Sequence, residues 1–146
     1  MKFGVGVDYS LRALIMLAEH YPSPTPLRVE EIAEAQRIPE NYLRRLLVEL
    51  KRAGILASQK GPSGGYLLAR PPARITAAEV VQAVEGDYAP VDYLLEGASA
   101  AARRDDEFSS IRDMWREVRA AVVGILSRTT LQMLAERRKG AISFQI

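Results

Sequence analysis

Apolar positions recur three and four apart between Asp8 and His20, at Leu11, Leu14, Ile15, Leu17 and Ala18, which predicts a first core helix. The stretch YPSPTP at 21–26 must end it, because three prolines in six residues cannot continue a helix. After a short extended stretch at Leu27–Val29, VEEIAEAQ (29–36) predicts a two-turn helix with Ile32 and Ala33 inward. Its acids fall near its start, where the helix dipole favours them. RIPEN (37–41) then turns the chain, with Pro39 near the first turn of the next helix, where proline is tolerated. In that helix, roughly 39–53, Leu43, Leu46, Leu47 and Leu50 stand at i, i+3, i+4 and i+7, so one face is sealed into a core. At about 100° per residue the opposite face carries Asn41, Arg45, Val48 and Arg52, with Arg44 beside them. Gly54 ends the helix as a C-terminal cap.

Beyond Gly54 the pattern shortens. ILAS (55–58) and YLLA (66–69) are strand candidates joined by QKGPSGG. A short helix, a tight turn, a longer helix and then two strands around a glycine-rich turn predict a winged helix–turn–helix. In this reading the glycines let the turn's backbone approach nucleic-acid phosphates. A phosphate-binding loop is the other use of such glycines, but the required G-x-x-x-x-G-K-[ST] is missing: Lys60 precedes the glycines and no helix follows them.

The proline-rich connector RPPARI (70–75) leads into ITAAEVVQAVEG (75–86), where Thr76 and Glu79 form a capping-box pair ahead of Val80, Val81 and Val84. Residues 97–110, GASAAARRDDEFSS, have no apolar period and read as a mobile loop. A long helix at about 109–127 follows, with Ile111, Met114, Trp115, Val118, Val122, Ile125 and Leu126 on one stripe, and TTLQMLAERR adds a short terminal helix. The stripe is too wide for a helix lying free in water, so a subunit interface through Ile111, Met114, Trp115, Val118 and Val122 is expected. The fold class is thus mainly α with a small β-wing (α+β), in two regions: a DNA-binding domain over 1–75 and a dimerisation region over 76–146.

Composition narrows the function. At 146 residues the chain is the size of one compact domain, or of a small domain plus an oligomerisation element, and 48% hydrophobic with 26% charged residues is ordinary globular material. No run approaches the roughly 20 apolar residues that cross a bilayer, and no secretory cleavage site is present, which places the protein in the cytoplasm. There is no cysteine, and His20 is the only histidine, so thiolate nucleophiles, zinc fingers and ordinary iron–sulfur ligation are excluded and an enzyme is not expected. Net charge is only +2, but residues 37–60 hold six Lys/Arg against two Asp/Glu. A local basic stripe on a weakly charged body suits a polyanion.

The segments DYSLRALIMLAEH, VEEIAEAQRIPENYLRRLLVELKRAGIL, KGPSGGYLLARPPARIT and AEVVQAVEG together resemble the Rrf-two family of bacterial winged-helix transcriptional regulators. The similarity runs from residue 1 to about 135. It implies a homodimer whose long C-terminal helix crosses to the partner and whose two wings reach a palindromic operator in double-stranded DNA. Many members of the family hold an iron–sulfur cluster through three cysteines in the loop before that helix. Here the loop is VDYLLEGASAAARRDDEFSS, with Tyr93 near the first cysteine position and nothing replacing the others. Asp8 matches a position that supplies an oxygen ligand in some cluster-binding members, but one carboxylate cannot hold a cluster. No cofactor is expected, and the signal is expected from a small-molecule or protein effector. At the start of the recognition helix Asn41, Tyr42, Arg44 and Arg45 are expected to meet base edges and nearby phosphates. Lys60, Ser63 and Gly64 are expected to follow phosphates or the minor groove, while Gly65 and Tyr66 shape the wing. The competing class is a winged-helix interaction module whose basic face docks an acidic protein.

Overall fold

In the computed structural model, which describes residues 2–91, 94 and 109–144, the first helix buries Leu14, Leu17 and Ala13 along one face. This α1 (Val5–His20) begins three residues before the expected start. The glycines at 4 and 6 argue against a helix locally, yet Gly6 is needed: a Cβ there would lie 2.7 Å from the Tyr42 hydroxyl. Tertiary packing outweighs intrinsic propensity at this end.

Helix α2 (Val29–Gln36) and helix α3 (Glu40–Arg52) form the predicted pair. The turn between them rests on Arg37, the only non-glycine residue among those described with a positive φ, at 53°. Its N–H donates to the Glu34 carbonyl and the Ile38 N–H to that of Ala33, the paired bonds of a Schellman cap, and Ile38 is buried beneath the turn. Glycine usually fills this position because a Cβ in the left-handed region is crowded.

Strands β1 (Leu56–Gln59) and β2 (Gly65–Leu68) pair antiparallel, with Leu56 opposite Leu68 and Gln59 opposite Gly65. Both lie within a residue of their expected positions. Leu27 adds a third, one-residue rung: its N–H donates to the Tyr66 carbonyl at 3.0 Å and the Tyr66 N–H donates back at 2.8 Å. The wing is therefore tied to the segment before α2.

A 3-10 turn (Pro72–Arg74) leads to α4 (Ala77–Glu85). The capping box is present: the Glu79 N–H donates to the Thr76 hydroxyl at 3.2 Å, and the Thr76 N–H donates to the Glu79 carboxylate at 2.8 Å. Helix α5 (Ser109–Arg128) is the long helix, and α6 (Leu131–Phe144) follows it. Two expectations shift here. Ser109 and Ser110 open α5 rather than close the loop expected over 97–110, whose remaining residues, with Tyr93, lie outside those described. Helix α6 is also longer than the short terminal helix that TTLQMLAERR predicted, running through Gly140 to Phe144.

One core joins all of this. Leu14, Ile32, Leu43 and Leu47 share it with Ile75, Val80, Leu131 and Ala135. The expected boundary at 75/76 thus cuts through the core. Helix α6 returns to α1, where Arg138 reaches Glu19 at 2.7 Å, and only α5 stands outside.

Candidate nucleic-acid interface

Helix α3 is fixed from behind. Leu43, Leu46, Leu47 and Leu50 are all buried, so the helix cannot roll, and Asn41, Arg45, Val48 and Arg52 face solvent as the 100° spacing predicts. Lys51 Nζ donates to the Ser58 hydroxyl at 2.6 Å, joining the end of α3 to β1 and holding the wing beside the helix. Lys51 was not among the predicted site residues; the bond spans seven positions across a turn and has no sequence period.

Arg45 and Tyr42 act together rather than side by side. The Arg45 guanidinium lies 5.3 Å from the centroid of the Tyr42 ring. Tyr42 is half-buried and meets Tyr9 of α1 edge to face at 5.8 Å, and Tyr9 in turn carries the Arg12 guanidinium at 5.5 Å. Arg12 also donates to the Gln36 carbonyl at the end of α2. A cation over an aromatic face is attracted by the ring quadrupole, so the four side chains form a stack anchored on α1 and α2 that ends in the exposed Arg45. Tyr42, expected at base edges, is the support of this stack. Tyr9 and Arg12 were missed because nothing in their spacing reveals a contact across helices.

Arg44 is likewise placed differently from its expectation. Its guanidinium donates to Glu30 at 2.7 Å and to Glu40 at 2.5 Å. These bonds, to Glu40 first and then Glu30, raise the Arg44 pKa above its ordinary value. Glu30 is held below the usual carboxylate range by its own backbone N–H first and then by Arg44. All three are solvent-exposed, so the pairs contribute little to stability. Their effect is on charge: the single positive charge of Arg44 is shared between two carboxylates, so the trio adds no net positive charge to the basic face.

At the wing tip Lys60 and Ser63 are exposed, and Lys60 makes no ion pair among the described residues. Gly65 shapes the wing, as expected, and Gly64 has a steric task beside the phosphate contact expected of it. A Cβ on Gly64 would meet the Gln59 carbonyl oxygen at 2.2 Å, and one on Gly65 would meet that of Leu27 at 2.2 Å. Both are required for the chain to close the turn and pack on Leu27. Gly61, at φ 108° and with open space around it, alone relies on glycine's backbone freedom.

A leucine-sealed helix with an Asn/Arg outer face, flanked by a lysine-tipped two-stranded wing, defines a winged helix–turn–helix protein. The comparisons place it more closely. Residues 4–137 match the Rrf2 family model, described as an iron-dependent transcriptional regulator, and the chain belongs to that family. It is 35% identical to the HTH-type transcriptional regulator CymR of Bacillus subtilis over 141 residues, 96% of this chain and 94% of that one. It is 33% identical to the HTH-type transcriptional regulator IscR of Cereibacter sphaeroides over 132 residues, covering 90% and 84%. The solved structure of CymR, the global cysteine regulator of B. subtilis, superposes with a TM-score of 0.74 at 32% identity, covering 94% of this chain and 98% of that one. The chain is a DNA-binding transcriptional regulator and not an enzyme, and an acidic protein partner in place of DNA is not favoured.

The iron in the family description does not fit the residues present. The chain offers no thiolate, and among the described residues no group of three His, Cys, Asp or Glu side chains converges. His20 Nε2 bonds the Thr25 carbonyl at 2.9 Å, and Asp8 pairs with Arg12 at 3.5 Å. Cluster iron needs soft thiolate ligands, and neither residue is one. No helix among the described residues is long and apolar enough to cross a membrane.

Proposed function

We propose that the chain acts as a homodimeric repressor that binds a palindromic operator in the cytoplasm and responds to an effector other than an iron–sulfur cluster. Exposed Arg45, backed by the Tyr42–Tyr9 stack on a helix whose other face is buried, is the observation that carries this reading. A guanidinium held on a rigid support loses little freedom on docking, and arginine to guanine is the commonest specific base contact. Asn41 sits one turn earlier on the same face and reads the adjacent base edge. Arg44 reaches phosphates by leaving Glu30 and Glu40, exchanging one set of anions for another. Lys60 and Ser63 follow the backbone at the wing, where Lys60 contributes salt-dependent affinity, and Gly64 keeps that turn tight.

Dimerisation follows from α5, which has no buried residue and exposes Ile111 (47%), Met114 (48%), Val118 (37%) and Ile125 (52%), with Trp115 and Val122 half-buried alongside. Two such helices crossing cover one another's stripes and set two α3 helices on two half-sites. A fluorescence anisotropy titration on a duplex from the region upstream of its own gene tests the reading. Retention against excess non-specific DNA is expected, with log affinity falling linearly in log salt; equal binding to a scrambled duplex would overturn it.

A further inference from the structure

A cleft of about 390 Å³ lies between the end of α3, helix α4 and helix α5, away from the operator-reading face. Ala53 and Ile55 supply apolar wall, and Arg119 and Ser127 of α5 and Asp87 beyond α4 supply polar groups. Glu79 also lines it, but its oxygens are committed to Arg70 at 2.9 Å and to the Thr76 N–H at 2.8 Å. Arg119 is in a different position. Its guanidinium is half-buried and has five N–H donors, of which among the described residues Nε alone bonds, to the Tyr88 carbonyl at 3.3 Å. No carboxylate pairs with it among the described residues. Asp87 accepts one bond, from Gln82 at 2.9 Å, and has no cationic partner among them.

One cleft thus holds a partly desolvated cation and a carboxylate, each without its opposite charge. A planar guanidinium matches a carboxylate bidentately, and a carboxylate matches an ammonium. The volume is at the small end of ligand sites and ample for an amino acid, and the two opposite charges in one cleft suit a zwitterion better than an anion. We propose that this cleft binds a small zwitterion of amino-acid size, its carboxylate held by Arg119 and its ammonium by Asp87.

The placement also gives the ligand a route to DNA. At 100° per residue Arg119, Val123 and Ser127 project roughly 150° from the Ile111–Met114–Val118–Ile125 stripe, so α5 offers one face to a ligand and another to a partner. Ala53, on the opposite wall, caps α3. A bound zwitterion touches both the helix that carries Arg45 and the helix that carries the stripe, and shifts their equilibrium as far as it prefers one arrangement. This last step rests on the regulator reading; binding itself needs no DNA.

The test measures the melting temperature of the full chain with each protein L-amino acid at millimolar concentration, with propionate and ethylamine as singly charged controls. At least one amino acid should raise it saturably while neither control does. By calorimetric titration with that amino acid, Arg119→Gln and Asp87→Asn should each weaken binding about tenfold or more, with unliganded melting temperatures near that of the parent chain. No shift with any amino acid, a shift with propionate alone, or affinity that survives either substitution would overturn the proposal. Operator affinity of the unliganded chain, measured in parallel, bears only on the regulator reading, so the two fail separately.

Discussion

In α3 the leucines at 43, 46, 47 and 50 are all buried, whereas in α5, a longer helix with a stripe of similar period, no residue is buried at all. The winged-helix core supplies the other side of the first stripe from α1, α2 and β1. Among the described residues nothing does so for the second beyond partial cover. Hydrophobic period alone therefore announces that a face must be covered, and does not say by what. A face covered from within holds a functional surface rigid, as with Arg45. A face left open is an instruction for assembly.

The sharpest way to break this contrast is to damage each stripe. Leu47→Ala in α3 should cost about 2–5 kcal/mol of folding stability, since it opens a cavity in a packed core, and denaturant unfolding would show it. Val118→Asp in α5 should leave monomer stability nearly unchanged but weaken association by roughly 2–3 kcal/mol, because a carboxylate is buried without a partner. Light scattering at micromolar concentration checks both chains, and a monomeric parent would remove the basis of the comparison.

Arg45→Ala should weaken operator binding by about 1–3 kcal/mol and relax preference at one base position, with melting unchanged. Tyr42→Leu sharpens this test: a supporting role predicts a smaller loss of the same specificity, and a purely structural role predicts none. Lys60→Ala should weaken binding to all sequences alike and lower the salt slope by about 1.

The smallest effect concerns the capping box that positions α4. Partial burial pushes the Glu79 carboxyl upward, but the Thr76 N–H, the Arg70 guanidinium and the Thr76 hydroxyl outweigh it and hold the pKa below 4.5. A depressed carboxylate contributes stability that is present above its unfolded value and lost as pH falls through the folded one. Thr76→Ala, which keeps that backbone N–H, should cost about 1 kcal/mol through the lost N-cap bond at any pH. Glu79→Gln should instead be destabilising at neutral pH, with a deficit that narrows below about pH 4.5.

What was legible in the sequence was local. The leucine spacing in α3, the exposure of Asn41 and Arg45, the Thr76–Glu79 box and the two wing strands all depend on residues within a few positions of each other. What was not legible was set at a distance. Arg44 is drawn away by Glu30, fourteen residues earlier, and Tyr42 is turned inward by Tyr9 of another helix. The spacing of Gly64 does not show that the Gln59 carbonyl lies beside it, nor that of Gly65 that it packs on the Leu27 carbonyl. Gly140 resembles a helix stop, yet α6 passes through it to Phe144.

At the join of α5 and α6 the Ala77 N–H donates to the Thr129 carbonyl at 2.8 Å, and the Leu131 N–H donates to that of Ile75 at 3.0 Å. These two bonds pin the departure and the return of the chain at one point on the core, with Leu131 fully buried just past it. Helix α4 stays on the core through Val80 and Val81, so the chain after Gly86 and up to Thr129 is an excursion with fixed ends. Closing a flexible loop grows costlier only logarithmically, by about 0.6 kcal/mol per doubling of its length. Changes of length between Tyr88 and Ser109 are therefore expected to leave the footing of α3, which its own buried leucines fix, unchanged. The length of the excursion and the seating of α3 are thus set by different parts of one core.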